Sequence, residues 1–395
     1  MCKIRHWFPR VGLLWIPALG ILGIKSNRQK DMSFLSIKNI KLVGLSAGVP
    51  ENIIETDAYN LMTPEQIEHF IESTGVERRR RATANQCTSD LCVAAAEKLI
   101  EDLGWEKQDI DLLVFASHTG DYKLPSTSCI LQNRLSLPTE CMAFDINHGC
   151  SGFLYGLSII ANLLSTGNFH KGLLLVGNTQ SKNVSYEDKS TYMIFGDAGA
   201  VAALEYAPAG GDSFDFHFMT DGSELESVYV PHGGYRHPIT PDSFVVEDCG
   251  DGIKRNKTNL IMNGTDVFAF ANKHLPKSVK ALVEHFNIDK DKDVDYFVMH
   301  QANKFLCDKV MKKSGMPAEK SFFSYKNFGN SSGASIPLTM VTEMKDILNQ
   351  EGRKNILSTA IGGGFSLASA MIKVGKVHCS DLVIVKDDPQ NIWPG

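Results

Sequence analysis

Residues 109–121, DIDLLVFASHTGD, and residues 293–303, DVDYFVMHQAN, decide the fold. Each has an acidic opening, a short unbroken apolar run and a polar turn. A run without alternation fits a strand covered on both faces, as in sheets that carry helices on each side. Working outward from the first stretch, strands are expected at 40–45, 141–146 and 172–177. Helices are expected at 63–72, with Pro64 in its first turn, and at 89–104, 124–135 and 151–165. Such an alternation signals an α/β layout. After a strand at 198–206 the pattern begins again, with a strand at 213–219, a helix at about 265–286 and strands at 294–299, 355–360 and 369–374. The chain therefore reads as two similar halves, 32–206 and 207–376, followed by a polar tail, 377–395. Residues 221–256 are rich in Gly, Pro, His and Asp and lack a period, so they read as a long loop.

The 395 residues are 43% hydrophobic and 22% charged, with a formal net charge of −5. That is ordinary for a globular chain and gives no positive field to hold nucleic acid. Nine cysteines, at 2, 87, 92, 129, 141, 150, 249, 307 and 379, show neither a C-x-x-C pair nor a His/Cys ligand spacing. They predict reduced thiols in a cytoplasmic protein and no metal site. Residues 1–31 differ from the rest: Arg5 and Arg10 precede the apolar run VGLLWIPALGILGI at 11–24. About 14 residues is short for a membrane span, and no A-x-A-like cleavage site follows. Met32 opens a segment that looks like a domain start, so 1–31 reads as an upstream extension outside the fold, or as the result of a start codon placed too early.

The phrase DINHGCSGFLYGL at 145–157 puts Cys150 at a strand-to-helix turn among Gly149, Ser151 and Gly152. The positive end of the helix macrodipole favours a thiolate there. The glycines admit a ligand close to the backbone, where the Cys150 amide can serve an oxyanion. A thiol merely packed at a helix start explains the same residues equally well. His300 follows the apolar strand directly, at the end where open α/β sheets place functional groups, although a structural imidazole is the plainer alternative. Asn330 lies in KNFGNSSGASIP at 326–337, where an N-cap or turn amide is ordinary. GGGF at 362–365 offers backbone amides at close range but lacks the spacing of a dinucleotide fingerprint. Thiol, imidazole, carboxamide and glycine turn each sit at a strand end or flanking loop.

In the order GCSGF, FGDAGA, HQAN, FGNSSGASIP and GGGF, the chain resembles the ketoacyl-acyl-carrier-protein synthase III family from about residue 37 to residue 374. The resemblance implies a thiolase-like αβαβα five-layered sandwich of two similar halves, a homodimer, and Cys150, His300 and Asn330 as catalytic residues. It implies an oxyanion hole from the amides of Cys150 and Gly363. The partners it implies are an acyl-CoA or acyl-carrier thioester, an acyl carrier protein with its phosphopantetheine arm, and a malonyl carrier, with no cofactor. Thiolases proper match less well, because they use a second cysteine near the C-terminal glycine turn, and Cys379 is too far downstream. Some positions depart from the family. In HFIESTGVERRR, 69–80, His69 and Ser73 stand where acetyl-CoA-using members carry tryptophan and arginine. Lys189 replaces an arginine that packs on adenine, and Phe305 an arginine that steers the carrier protein. Phe268 and Leu124 are further substrate-contact candidates, Leu124 at the position that lines the acyl pocket across the dimer. Arg78, Arg79, Arg80, Arg81, Lys304, Lys312 and Lys313 are left as cations for a phosphopantetheine or carrier surface. Two competing readings are an acyltransferase that passes the acyl group to an amine or alcohol without decarboxylation, and an inactive heterodimer partner.

Overall fold

The computed structural model describes residues 33–388; the expectations for 1–31 and for the terminal NIWPG fall outside them. Ten strands make the framework: β1 (Phe34–Pro50), β2 (Leu112–Ala116), β3 (Met142–Ile146), β4 (Lys171–Asn178), β5 (Ala198–Tyr206), β6 (Asp212–Thr220), β7 (Tyr296–Met299), β8 (Ser321–Phe322), β9 (Lys354–Gly362) and β10 (Ser366–Val374). In the first half they lie in the order β1-β5-β4-β2-β3, and in the second β6-β10-β9-β7-β8. Adding five to each number converts one order into the other. The pairing senses match as well: antiparallel, antiparallel, parallel, parallel, counted from β1 or from β6.

The acidic openings of the two echoed stretches have one physical role. The Asp111 carboxylate accepts from the backbone N–H groups of His170 and Lys171, at 2.8 and 3.2 Å, at the start of β4. Asp295 accepts from the N–H of Asn355, at 2.9 Å, at the start of β9. Each aspartate thus fixes where its neighbouring parallel strand begins.

Alternate residues of the buried strands enter different cores, which explains the unbroken apolar runs. Leu112, Val114 and Ala116 join a central cluster with Leu154 and Leu157 of the helix Gly152–Ser165 and Ile336 and Met340 of the helix Ser335–Glu343. Leu113 and Phe115 face the helix Thr88–Leu103 on one outer side. Phe297, Met299 and Leu357 face the helices Gly264–His285 and Lys304–Ser314 on the other. Helix, sheet, helix, sheet, helix is the five-layered thiolase-like sandwich. At ~25 cal/mol per Å² of apolar surface, a layer buried on both faces gains from each side in turn.

Several elements differ from the sequence reading. β1 runs over 17 residues rather than 40–45, because it serves both sheets: Phe34 to Ile40 pair with β6 and Ile40 to Gly48 with β5. Lys38, Asn39 and Lys41 break the apolar run between these two parts, and Asn39 takes a positive φ of 64° where the register shifts. The helix expected at 124–135 starts only at Thr127, since Pro125 disfavours helical geometry at Leu124. The tail was given no element, yet His378–Cys379 (β11) and Val383–Val385 (β12) both pair parallel to β1. The long loop holds two small antiparallel pairs, Val228–Tyr229 with Ile261–Met262 and Glu247–Asp248 with Lys254–Arg255. Among the described residues no helix is long and apolar enough to cross a membrane.

Candidate active site

Cys150 lies just ahead of the helix Gly152–Ser165, whose N-cap is Ser151. The chain turns tightly before it, with the Gly152 N–H donating to the Gly149 carbonyl at 2.7 Å. The thiol is half-buried, and its Sγ lies 3.5 Å from Ser332 Oγ. Burial pushes the thiol pKa up, with the Ser332 hydroxyl and the backbone opposing it. Sequence reasoning had the helix end favour a thiolate. A helix terminus contributes typically about 0.3–1 kcal/mol, less than one pKa unit, so desolvation wins and the resting group is a thiol.

His300 follows β7, is 3% exposed, and donates its backbone N–H to the Thr359 carbonyl at 2.9 Å. Its Nδ1 lies 2.8 Å from Ser335 Oγ, and that oxygen accepts the Gln301 N–H at 3.3 Å. The Ser335 hydroxyl can give or accept that hydrogen bond, so it orients the imidazole in either neutral tautomer. Burial pushes the imidazole down to about 4, with a backbone hydrogen bond to Ser332 acting weakly against it, so His300 is neutral at pH 7.

Asn330 follows Gly329, whose φ of 58° suits glycine. Its backbone locks to the first half through the Asn330 N–H to the Ile194 carbonyl, 2.9 Å, and the Gly196 N–H to the Asn330 carbonyl, 3.1 Å. Its Oδ1 accepts from the Ser332 N–H at 2.9 Å, which leaves the NH₂ end as the outward donor. Gly362 and Gly363 close the group. A Cβ on Gly362 would stand 2.9 Å from Ser151 Oγ, so the glycine turn lies directly against the Cys150 loop.

One cavity is lined by Cys150, His300, Asn330, Gly363, Phe268 and Phe365, among others. Five expected residues therefore meet, drawn from both halves. Phe305 is half exposed and does not line it, but stacks on Phe268 with centroids 4.9 Å apart. Lys189 begins the short helix Lys189–Tyr192, and Leu124 is 85% exposed; neither lines the cavity. The basic run splits up. Arg79 is buried and lies over the Tyr192 ring, Arg78 pairs with Glu55 at 3.1 Å, and Arg80 donates to the backbone carbonyls of Pro50 and Glu51. Arg79 is therefore an interior group, not part of a surface for a carrier. Sequence reasoning missed Ser332 and Ser335, which hold the thiol and the imidazole, although both stand in the quoted NSSGAS segment.

A duplicated sheet pair with this layering defines the thiolase-like class. Residues 144–222 match the family model for 3-oxoacyl-[acyl-carrier-protein] synthase III, and residues 287–374 match the model for its C-terminal part. The chain is 32% identical over 338 residues to the beta-ketoacyl-[acyl-carrier-protein] synthase III of Clostridium perfringens, covering 86% of this chain and all of that protein. It is 33% identical over 342 residues to the enzyme of the same name from Natranaerobius thermophilus, covering 85% and 100%. The crystal structure of a 3-oxoacyl-(acyl-carrier protein) synthase from Burkholderia xenovorans superposes with a TM-score of 0.82 at 36% identity, over 89% of this chain and 99% of that one. The chain belongs to the 3-oxoacyl-[acyl-carrier-protein] synthase III family, and it is an acyltransferase-type condensing enzyme.

Proposed function

We propose that the chain condenses an acyl group held on Cys150 with malonyl-acyl carrier protein, with loss of carbon dioxide, to give a 3-oxoacyl product. The observation that carries this is the meeting of Cys150, His300, Asn330 and Gly363 on one cavity from opposite halves of the molecule. In the first half-reaction the Cys150 sulfur loses its proton and attacks the acyl thioester. The N–H groups of Cys150 and Gly363 hold the oxyanion, and the carrier thiolate leaves and takes up a proton. In the second, the malonyl carboxylate departs as carbon dioxide, and the electron pair of the broken C–C bond becomes an enolate. Neutral His300, with its proton on Nε2, and the Asn330 NH₂ donate to the enolate oxygen. The carbanion then attacks the acyl carbonyl and the Cys150 sulfur leaves.

The same reading extends to the assembly. β3 is an edge strand whose residues are half-buried or exposed, with Met142 45% exposed. An uncovered edge of this kind invites pairing with a second copy. Asp145 of β3 accepts from the N–H groups of Thr127 and Ser128, both at 2.8 Å, which brings the exposed Leu124 loop to that edge. A homodimer across β3 would carry Leu124 toward the partner's acyl site, with Lys189, Phe268 and Phe305 left to contact the incoming thioester arm. The two halves divide near residue 206, and the cysteine pattern supports a cytoplasmic setting.

The test is intact-protein mass spectrometry of wild type and Cys150→Ala with acyl groups on CoA and on acyl carrier protein, followed by malonyl carrier. Acylation of wild type alone, discharged with carbon dioxide release, is the expected result. Acylation that is discharged to an amine or alcohol without carbon dioxide would replace this reading with simple acyl transfer.

A further inference from the structure

The thiol of the first half meets a serine of the second. Ser332 Oγ lies 3.5 Å from Cys150 Sγ, and the serine is 3% exposed. Ser332 takes a φ of 52°, in the left-handed region that glycine adopts freely and a residue with a Cβ adopts at a cost. Elsewhere in the same loop glycine meets such demands: Gly329 has a φ of 58°, and a Cβ on Gly333 would stand 2.8 Å from the Gly149 carbonyl oxygen. A serine in this conformation beside a nucleophile keeps a side chain that the backbone alone would not select.

The surroundings fix the hydroxyl. With its amide oriented to satisfy its neighbours, the buried Asn178 at the end of β4 donates to Ser332 Oγ and to the Gly177 carbonyl, each at 2.9 Å, and accepts from the His118 backbone N–H at 3.0 Å. Asn178 thus occupies an acceptor position of the serine oxygen, and the serine's own hydrogen is left for the sulfur. Gly149 keeps that approach open, since a Cβ there would stand 3.2 Å from Ser332 Oγ. In the resting thiol either atom can give the hydrogen; once the sulfur is ionised only the serine can. Burial is the largest influence on the thiol, and the Ser332 hydroxyl opposes it ahead of the backbone. The imidazoles of His300, on the same cavity, and of His118, against Gly149, are both held near 4 by burial, so neither offers the sulfur a positive charge at pH 7.

We propose that Ser332 is a further catalytic residue, whose hydroxyl donates a hydrogen bond to the Cys150 sulfur whenever that sulfur carries negative charge. The proposal rests on Cys150 being the acyl acceptor. In acyl capture the thiol proton leaves the sulfur and the departing carrier thiolate takes one up, while Ser332 keeps its own proton and donates to the sulfur until the new C–S bond forms. In condensation that C–S bond breaks, the sulfur takes the electron pair, and the same hydroxyl receives it. A hydrogen bond to an ionised acceptor is roughly twice as strong as a neutral one, so the contact favours the thiolate over the thiol.

The experiment measures how alkylation of Cys150 by iodoacetamide depends on pH in wild type, Ser332→Ala and Ser332→Gly. It is read peptide by peptide by mass spectrometry, because Cys129 and Cys249 are also exposed. The glycine variant suits the positive φ and removes the hydroxyl without straining the turn. The wild-type rate should level off about one to two pH units lower than that of either variant. At pH 7 both variants should also capture an acyl group from acyl-CoA about tenfold or more slowly. A merely structural role would alter the final alkylation rate and leave unchanged the pH at which it levels off. That result in either variant would overturn the catalytic role of Ser332 and leave Cys150 as acceptor intact. No acyl mass on wild-type Cys150, with acyl groups on either CoA or acyl carrier protein, would overturn both.

Discussion

β2 and β7 occupy the same place in their half-sheets, and each is followed within two residues by a histidine that has a different fate. His300 is sealed in, tied to Ser335 and left neutral with one N–H to give. His118 keeps an exposed edge and packs on Gly149, the residue before the thiol. The two half-sheets thus present equivalent strand ends, and the loops after them differ. The thiol comes from the first half, at a helix start that glycine holds open. The imidazole and the carboxamide come from the second, where the loops after β7 and β9 and the one ahead of the helix Ser335–Glu343 converge. Neither half lines the cavity alone.

Removing a group from either half tests that division. Cys150→Ala is expected to have the largest effect, abolishing acyl capture by about 10⁴-fold or more, read as loss of the acyl mass. His300→Ala and Asn330→Ala should slow release of carbon dioxide from malonyl carrier by about 10²–10⁴-fold while the acyl mass on Cys150 still forms. If either variant lost acylation and kept decarboxylation, the assignment of donors to the second half would be wrong.

Acid stability compares the two histidines directly. An unfolded imidazole takes a proton near 6.5 and folded His300 only near 4, so the unfolded chain gains protons first as the pH falls. The contribution of neutral His300 is intact above about pH 6.5 and is lost progressively toward pH 4, by about 3 kcal/mol at most. Urea unfolding at pH 7 and pH 5 should show a shallower acid loss in His300→Gln than in wild type. His118→Gln should act in the same direction, because burial also lowers that ring to about 4. A change in neither variant would mean that burial does not hold these rings neutral.

The smallest expected effects concern the aspartates that start β4 and β9. Asp111→Ala removes an acceptor of two backbone N–H groups and Asp295→Ala an acceptor of one. Each should cost about 1–3 kcal/mol, larger for Asp111, read as a fall in Tm of about 2–4 °C per kcal/mol. No loss at either position would mean that their shared placement has no energetic weight.

Much of this was legible in the chain itself. Unbroken apolar runs such as LLVFA and YFVM mark strands buried on both faces, because successive side chains enter different cores. The repeated acidic opening marks equivalent positions in the two half-sheets, because a parallel strand needs its first N–H groups satisfied. The GCSGF, HQAN and GNSSGAS segments mark residues that line one cavity, because thiol, imidazole and amide stand at strand ends or flanking loops. Other features had no local signature. β1 spans both sheets although Lys38, Asn39 and Lys41 interrupt it, and β11 and β12 come from a tail without periodicity; both depend on partners far away in sequence. The protonation states of Cys150 and His300 were likewise decided by tertiary structure, since desolvation depends on what surrounds a group, and the helix end visible in the sequence is the weaker influence. The contacts that join the site, Ser332 to the thiol, Ser335 to the imidazole and His118 to Gly149, exist only because the two halves close on each other.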